Sequence, residues 1–195
     1  MSGLQPLTRR LLGGLLAFLG LALVILGLQA WPDNDARVLD WMSQIRQAAA
    51  ESSVDPNLLA GLVFAESRGD EDAVSSIGAL GLCQLMPSTA GELAGQMKIE
   101  GPPYAPLDNL RMGARYLSKM LRRHDGDVDL ALLCYRLGPT GVDRRIKAAG
   151  GKEAWFQDLQ ENLPSPWGYR DQILEAQKRY AAMPVETDLP AAAKD

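Results

Sequence analysis

Residues 55–69 leave the chain little choice of local structure. The run Asp55-Pro56-Asn57-Leu58-Leu59-Ala60-Gly61-Leu62-Val63-Phe64-Ala65-Glu66-Ser67-Arg68-Gly69 opens with an Asp in the N-cap position and Pro at the first helical position, and it closes on Gly. That punctuation predicts one short α-helix. Leu59, Val63 and Glu66 fall on one face at i, i+4 and i+7, with Leu58, Leu62 and Ala65 beside them. Glu66 therefore stands where a leucine is expected. A carboxyl there is partly desolvated and lies at the negative end of the helix dipole, and both effects raise its pKa. The alternative is a Glu that turns to solvent at a fraying helix end. A carboxyl that holds its proton suits glycoside cleavage, in which the leaving sugar oxygen must be protonated as the bond breaks.

The rest of the chain reads as further helices. Val38, Trp41, Met42, Ile45 and Ala48 or Ala49 recur at helical spacing, with residues 31–37 before them read as a short polar linker. Thr89-Ala90-Gly91-Glu92 matches a capping box and predicts a helix after Pro87. Residues 100–106, rich in Gly and Pro, predict a loop. From Asn109, the positions Leu110, Gly113, Leu117 and Met120 or Leu121 give a strongly amphipathic helix. Asp127 or Asp129 caps the next, which ends at Gly138-Pro139 with Tyr135 in its last turn. A helix from Gly141 to Ala149, a segment with Trp155, Phe156, Leu159 and Leu163, and a final helix from about Tyr169 to Tyr180 follow. Only Gly78 to Gln84 is strand-like, so the fold is expected to be mostly α with at most a small β-hairpin. Residues 183–195 are small and polar and read as a disordered tail.

Leu11 to Leu28 carries no charge and is preceded by Arg9-Arg10, with Trp31, Asp33 and Asp35 after it. About 18 apolar residues just span a bilayer, and the basic flank orients the N-terminus to the cytoplasm. Residues 1–30 are therefore expected to form a transmembrane signal anchor in the inner membrane, with residues 38–182 in the periplasm. Cleavage after Ala30 is the alternative. The net charge is −4, and because both early arginines precede the apolar run while every Asp and Glu follows it, the exported part carries −6. That balance argues against nucleic acid and against charge-driven binding to anionic lipid. The single histidine, His124, lies in a charged stretch and is expected to be a solvated loop residue; no metal or other cofactor is expected.

Between Ala73 and Ala90 lies a Gly-rich stretch, Ser75-Ser76-Ile77-Gly78-Ala79-Leu80-Gly81-Leu82-Cys83-Gln84-Leu85-Met86-Pro87. Taken with Glu66-Ser67, with Asp108-Asn109-Leu110-Arg111-Met112-Gly113-Ala114-Arg115-Tyr116-Leu117, with Cys134-Tyr135-Arg136-Leu137-Gly138 and with Tyr169, it resembles the family 1 lytic transglycosylases, whose soluble-lytic-transglycosylase domain has a lysozyme-like fold of the goose type. The likeness covers roughly residues 50–175 in order and spacing. Two departures stand out: Cys83 replaces the family's Met, and Arg136 replaces its Asn, exchanging a donor and acceptor for a charge that only donates.

The resemblance implies a peptidoglycan glycan strand as partner and Glu66 as the sole catalytic acid, which protonates the leaving oxygen and then, as base, deprotonates the substrate's own C6 hydroxyl to leave a 1,6-anhydro ring. It implies substrate contacts at Ser67, Ser75, Gln84, Met86, Tyr135, Arg136 and Tyr169, with Tyr135 placed to hydrogen-bond near the acid. Trp155, Trp167, Tyr104 and Tyr169 are candidate sugar-stacking faces, against the plainer reading of core aromatics. Cys83 and Cys134, an even pair in exported sequence, are a disulfide candidate; the alternative is two buried thiols. Rival functions are a hydrolytic lysozyme, or a wall-binding scaffold that docks with envelope or secretion machinery.

Overall fold

A computed structural model describes residues 33–183, and the proposed membrane span and tail lie outside them. Its centre is the helix anticipated from the capping pattern, Pro56–Ser67, here α3. Asp55 caps it by accepting from Asn57 N at 2.8 Å, Pro56 occupies the first turn, and Arg68 (φ 58°) then Gly69 (φ 76°) reverse the chain. Leu58 through Phe64 are all buried, so α3 is enclosed on every side instead of presenting one stripe.

Around it run α1 (Asp33–Asp40), α2 (Met42–Ser52), α4 (Pro87–Met97), α5 (Pro106–Arg123), α6 (Val128–Leu137), α7 (Pro139–Ala149), α8 (Lys152–Asn162) and α9 (Pro164–Ala182). The only β pairing among the described residues is two isolated bridges, Val74 with Leu80 and Leu80 with Leu85, in the loop between α3 and α4. The structure is thus mostly α, as the periodicity indicated.

α9 is the principal neighbour of α3 and runs antiparallel to it. Gln177 Nε2 donates to Asp55 Oδ2 (2.7 Å) at one end and Tyr169 meets Glu66 at the other. Between them Gly61 lets the backbones touch: a Cβ there would lie 2.5 Å from the carbonyl oxygen of Ile173. α5 is amphipathic as its spacing demands, with Leu110, Met112, Gly113, Ala114, Leu117 and Met120 inward and Arg115 and Lys119 outward. It packs on α2, α4 and α6.

The structure departs from the sequence reading in several places. Residues 33–37 are the first turn and a half of α1, not a linker. The segment is ordered by distant partners: buried Asp35 accepts from Tyr180 Oη (2.8 Å) and Arg179 (3.2 Å), and a Cβ on Gly69 would meet the Arg37 backbone at 2.8 Å. α4 begins at Pro87 with Met86 in the cap position, two residues before the capping box, and Glu92 instead pairs with Lys119. Cys83 and Cys134 are not bridged. Cys83 packs against Gly113, where a Cβ would come within 2.6 Å of its own, while the Cys134 sulfur faces His124 Nε2 at 3.0 Å, which makes that histidine a half-buried partner and not a solvated one. Burial lifts both thiols, Cys134 to about 11.

Gly61→Ala is expected to force α3 and α9 apart and to lower stability by about 1–3 kcal/mol, the usual result of overpacking, read as an earlier urea midpoint. The thiols are expected to resist alkylation in the folded chain and both to react on unfolding without reductant, with a melting temperature that reductant leaves unchanged.

Candidate active site

The last turn of α3 carries Glu66 out of the core. A leucine at this place would add about 1.5–3 kcal/mol of burial, which the carboxyl forgoes. What it gains is a partner from α9: Tyr169 Oη, on a residue 8% exposed, donates to Glu66 Oε1 at 2.6 Å. Desolvation raises the Glu66 pKa, and the Tyr169 hydrogen bond and the Arg136 charge offset part of that rise. Burial and the adjacent carboxyl push the Tyr169 phenol well above its ordinary range, so it stays the protonated donor. Arg136, exposed at the end of α6, lies with its guanidinium carbon 5.1 Å from the centre of the Tyr169 ring.

The turn behind the acid is pinned from the junction of α1 and α2. Trp41 Nε1 donates to Gly69 O (3.1 Å), and Ser67, 8% exposed, donates to Val63 O (3.2 Å) and accepts from Gly69 N (3.2 Å). The Ser67 hydroxyl is therefore committed within α3 and does not face outward. Phe64, one turn earlier, is covered by Arg68 and Arg179 at 4.3 and 4.9 Å from its ring centre.

The facing wall is the loop of residues 73–86, folded on itself. Ser75 Oγ accepts from Ala79 N (2.9 Å), and Gln84 Nε2 donates to Ala73 O (2.9 Å) and Gly81 O (3.0 Å). Gln84 holds φ at 45°, a left-handed conformation that costs a non-glycine residue of order 1 kcal/mol or more, so its two side-chain bonds must hold the loop against that strain. Asn109 on α5 clips the loop from below: its Oδ1 accepts from Cys83 N (2.8 Å) and its Nδ2 donates to Leu80 O (3.1 Å). Gly81 is required there, since φ is 71° and a Cβ would strike the Asn109 amide at 2.6 Å. Met86 is 39% exposed at the start of α4.

Tyr135 joins the walls. Its hydroxyl donates to Cys83 O (2.9 Å), and its ring packs edge-on against Tyr116 with centroids 5.1 Å apart. So it is Tyr169 that bonds the acid, while Tyr135, expected to hydrogen-bond near the acid, holds the loop. Beyond Tyr116 the surface continues into a groove of about 280 Å³ bordered by Thr89, Glu92 and Lys119.

The site thus unites Glu66, Tyr169, Arg136, Tyr135 and Cys83, with Ser75 and Gln84 shaping the loop. Of the candidate stacking aromatics, Trp155 is 2% exposed inside the core, Trp167 packs on Phe156 under Arg170, and Tyr104 lines a separate cavity beside Pro103 and Asn109. Sequence reasoning used Asn109 only as a helix residue; its signal was an amide side chain buried to 4% opposite a glycine-rich loop, which no periodicity reveals.

A transglycosylase of Enterobacteria phage PRD1 is 42% identical over 100 residues, covering 51% of this chain and 36% of the phage protein. An endo-type membrane-bound lytic murein transglycosylase A of Klebsiella pneumoniae is 40% identical over 88 residues, 42% of this chain and 43% of that protein. The chain therefore spans less than half the length of these curated relatives. Among solved structures, an inactive glutamate-to-glutamine mutant of lytic transglycosylase Slt from Pseudomonas aeruginosa matches with a TM-score of 0.63 at 25% identity, over 71% of this chain and 23% of that one. The 70-kDa soluble lytic transglycosylase in complex with bulgecin A shares the fold, with a TM-score of 0.65 at 20% identity over 78% of this chain and 26% of its own. Residues 43–157, more than half of the chain, match the family described as the Transglycosylase SLT domain, and it is to this family that the chain belongs.

Proposed function

We propose that this chain is a lytic transglycosylase that cleaves the MurNAc–GlcNAc β-1,4 bond of peptidoglycan and leaves 1,6-anhydromuramic ends. The observation that carries the reading is a desolvated carboxyl, Glu66, whose pKa is raised by burial and whose surroundings among the described residues supply a phenol and a guanidinium but no second acid. Glycosidases that use water or a glycosyl-enzyme need two carboxyls about 5–9.5 Å apart. Asp70, Glu71 and Asp72 are exposed beyond the Arg68-Gly69 reversal, where Asp70 Oδ1 accepts from Asp72 N (3.1 Å), and none of them contributes to the Glu66 shift.

One acid can do both steps. Protonated Glu66 gives its proton to the glycosidic oxygen as the C1–O bond breaks. The carboxylate left behind then accepts the proton of the C6 hydroxyl, whose oxygen closes onto C1. Water is not consumed, and the attack is intramolecular, which removes the entropy cost of recruiting a nucleophile. Tyr169 stabilises the carboxylate between the two steps. Ser75, Gln84, Met86 and Tyr135 are assigned to the substrate wall; Ser67 is assigned to positioning the end of α3.

Membrane attachment through residues 11–28, with residues 38–182 as a periplasmic catalytic domain and 183–195 as a tail, accords with the membrane-bound relatives named above. Among the described residues no helix is long and apolar enough to cross a membrane.

Glu66→Gln keeps the volume but has no proton to give, and turnover on purified sacculi is expected to fall roughly 10²–10⁴-fold. Mass spectrometry of the wild-type digest is expected to find muropeptides lighter by one water than reducing ones. Predominantly reducing ends would instead make the enzyme a hydrolase.

Tyr169→Phe tests the pair. The lost hydrogen bond had favoured the carboxylate, so its removal raises the Glu66 pKa further, and the acid form persists to higher pH. The alkaline limb of the rate profile should move upward while the maximal rate falls. A limb that stays in place would separate Tyr169 from the ionisation of Glu66.

A further inference from the structure

Several arginines of the domain are paired. Arg111 is held by Glu51 and Asp108, Arg170 by Asp129 and Asp171, Arg123 by Asp143, and Arg179 by buried Asp35. Arg68, over the Phe64 ring, makes none of these pairs, and neither does Arg136. It is exposed, its only contact is the face of Tyr169 at 5.1 Å, and it makes no hydrogen bond or ion pair among the described residues. It stands one aromatic ring away from the acid, since that same Tyr169 donates to Glu66 at 2.6 Å. The contact with the ring uses none of the five guanidinium N–H donors, a fork shaped for a carboxylate.

Arg136 also stands where the family's pattern has Asn, in a part of the chain whose net charge is −6. An unpaired cation kept beside a general acid depresses that acid's pKa, which works against proton donation unless an incoming anion neutralises it.

Resting on the lytic-transglycosylase reading, we propose that Arg136 is a specificity-determining residue that binds a substrate carboxylate next to the scissile bond, so that the enzyme reads the anionic, peptide-bearing state of the glycan. Charge-assisted, two-point binding of this kind is directional as well as strong. Occupation of Arg136 also relieves its pull on Glu66, so the acid holds its proton more firmly in the complex than in the free enzyme.

The test compares wild type with Arg136→Gln and Arg136→Lys on soluble glycan chains in three forms: with stem peptides, with the peptides removed by an amidase so that only the lactyl carboxylate remains, and with all carboxylates amidated. On peptide-bearing chains Arg136→Gln is expected to raise KM roughly 10–100-fold, the range of a hydrogen-bonded charge contact, with Arg136→Lys in between. On amidated chains the factor separating wild type from variant should collapse. The lactyl carboxyl is an amide while the peptide is attached and becomes free only on amidase treatment, so loss of the factor on amidase-treated chains assigns a stem-peptide carboxylate, whereas its full persistence there would overturn the preference for the peptide-bearing state. In wild type the alkaline limb of kcat should lie above that of kcat/KM on anionic chains, and Arg136→Gln should close the gap.

An equal loss on all three substrates, or none on any, would overturn the proposal and leave Arg136 as a cover for Tyr169. Cosedimentation with the same chains is run alongside. Absence of product from every protein with carboxylate-dependent binding intact would dismiss the catalytic reading while sustaining the anion contact.

Discussion

The contact on which this molecule turns is the near-touching of two antiparallel helix backbones at Gly61 and Ile173. Because α3 is enclosed by its neighbours, its polar side chains are confined to its two ends, and Glu66 takes its partner from the element that lies closest. α9 is that element. Its register against α3 is pinned by Gln177 at Asp55 and by the close approach at Gly61, and the same register brings Tyr169 to Glu66. The site is therefore a by-product of core packing in the literal sense: the geometry of the acid is set by residues that never meet a ligand.

Electrostatically, the arrangement opposes two tendencies on one group. Burial favours the neutral acid, while a phenol donor and a guanidinium favour the carboxylate. A group asked to give a proton and take it back must not be driven hard towards either state, and the opposing influences keep both within reach. The neighbouring phenols have no such balance. Tyr135 and Tyr169 are both held protonated by burial and by nearby negative charge, which makes them fixed donors and not proton carriers.

What could be read from the chain beforehand was local. Asp55, Pro56 and the Arg68-Gly69 end bracket α3 by hydrogen bonds within a few residues, and Asp127 caps α6 through Leu130 N at 3.0 Å in the same way. Glu66 was visible because an acid interrupts an apolar pattern. The features that escaped depend on partners far along the chain. Helix α1 looks like a polar linker until Asp35 finds Tyr180, and the acid's phenol comes from 103 residues away, so choosing Tyr169 over Tyr135 needs the tertiary register. The cysteines misled for a related reason: an even count says nothing of direction, and Gly113 and His124 draw the two sulfurs to separate partners. Ser67 misled because a serine near a helix end can face outward or bond back to the i−4 carbonyl, and it does the latter.

Asn109 has a mechanical consequence. By gripping Cys83 N and Leu80 O at once, it makes the 80–85 segment move with α5, whereas Glu66 and Tyr169 move with the α3–α9 pair. The bond from Tyr135 Oη to Cys83 O ties the same segment to α6, so the loop is anchored to two helices at once. Two anchors remove the freedom to pivot that one would leave, so Tyr135 and Asn109 act as rivets and the segment between them as a fixed plate.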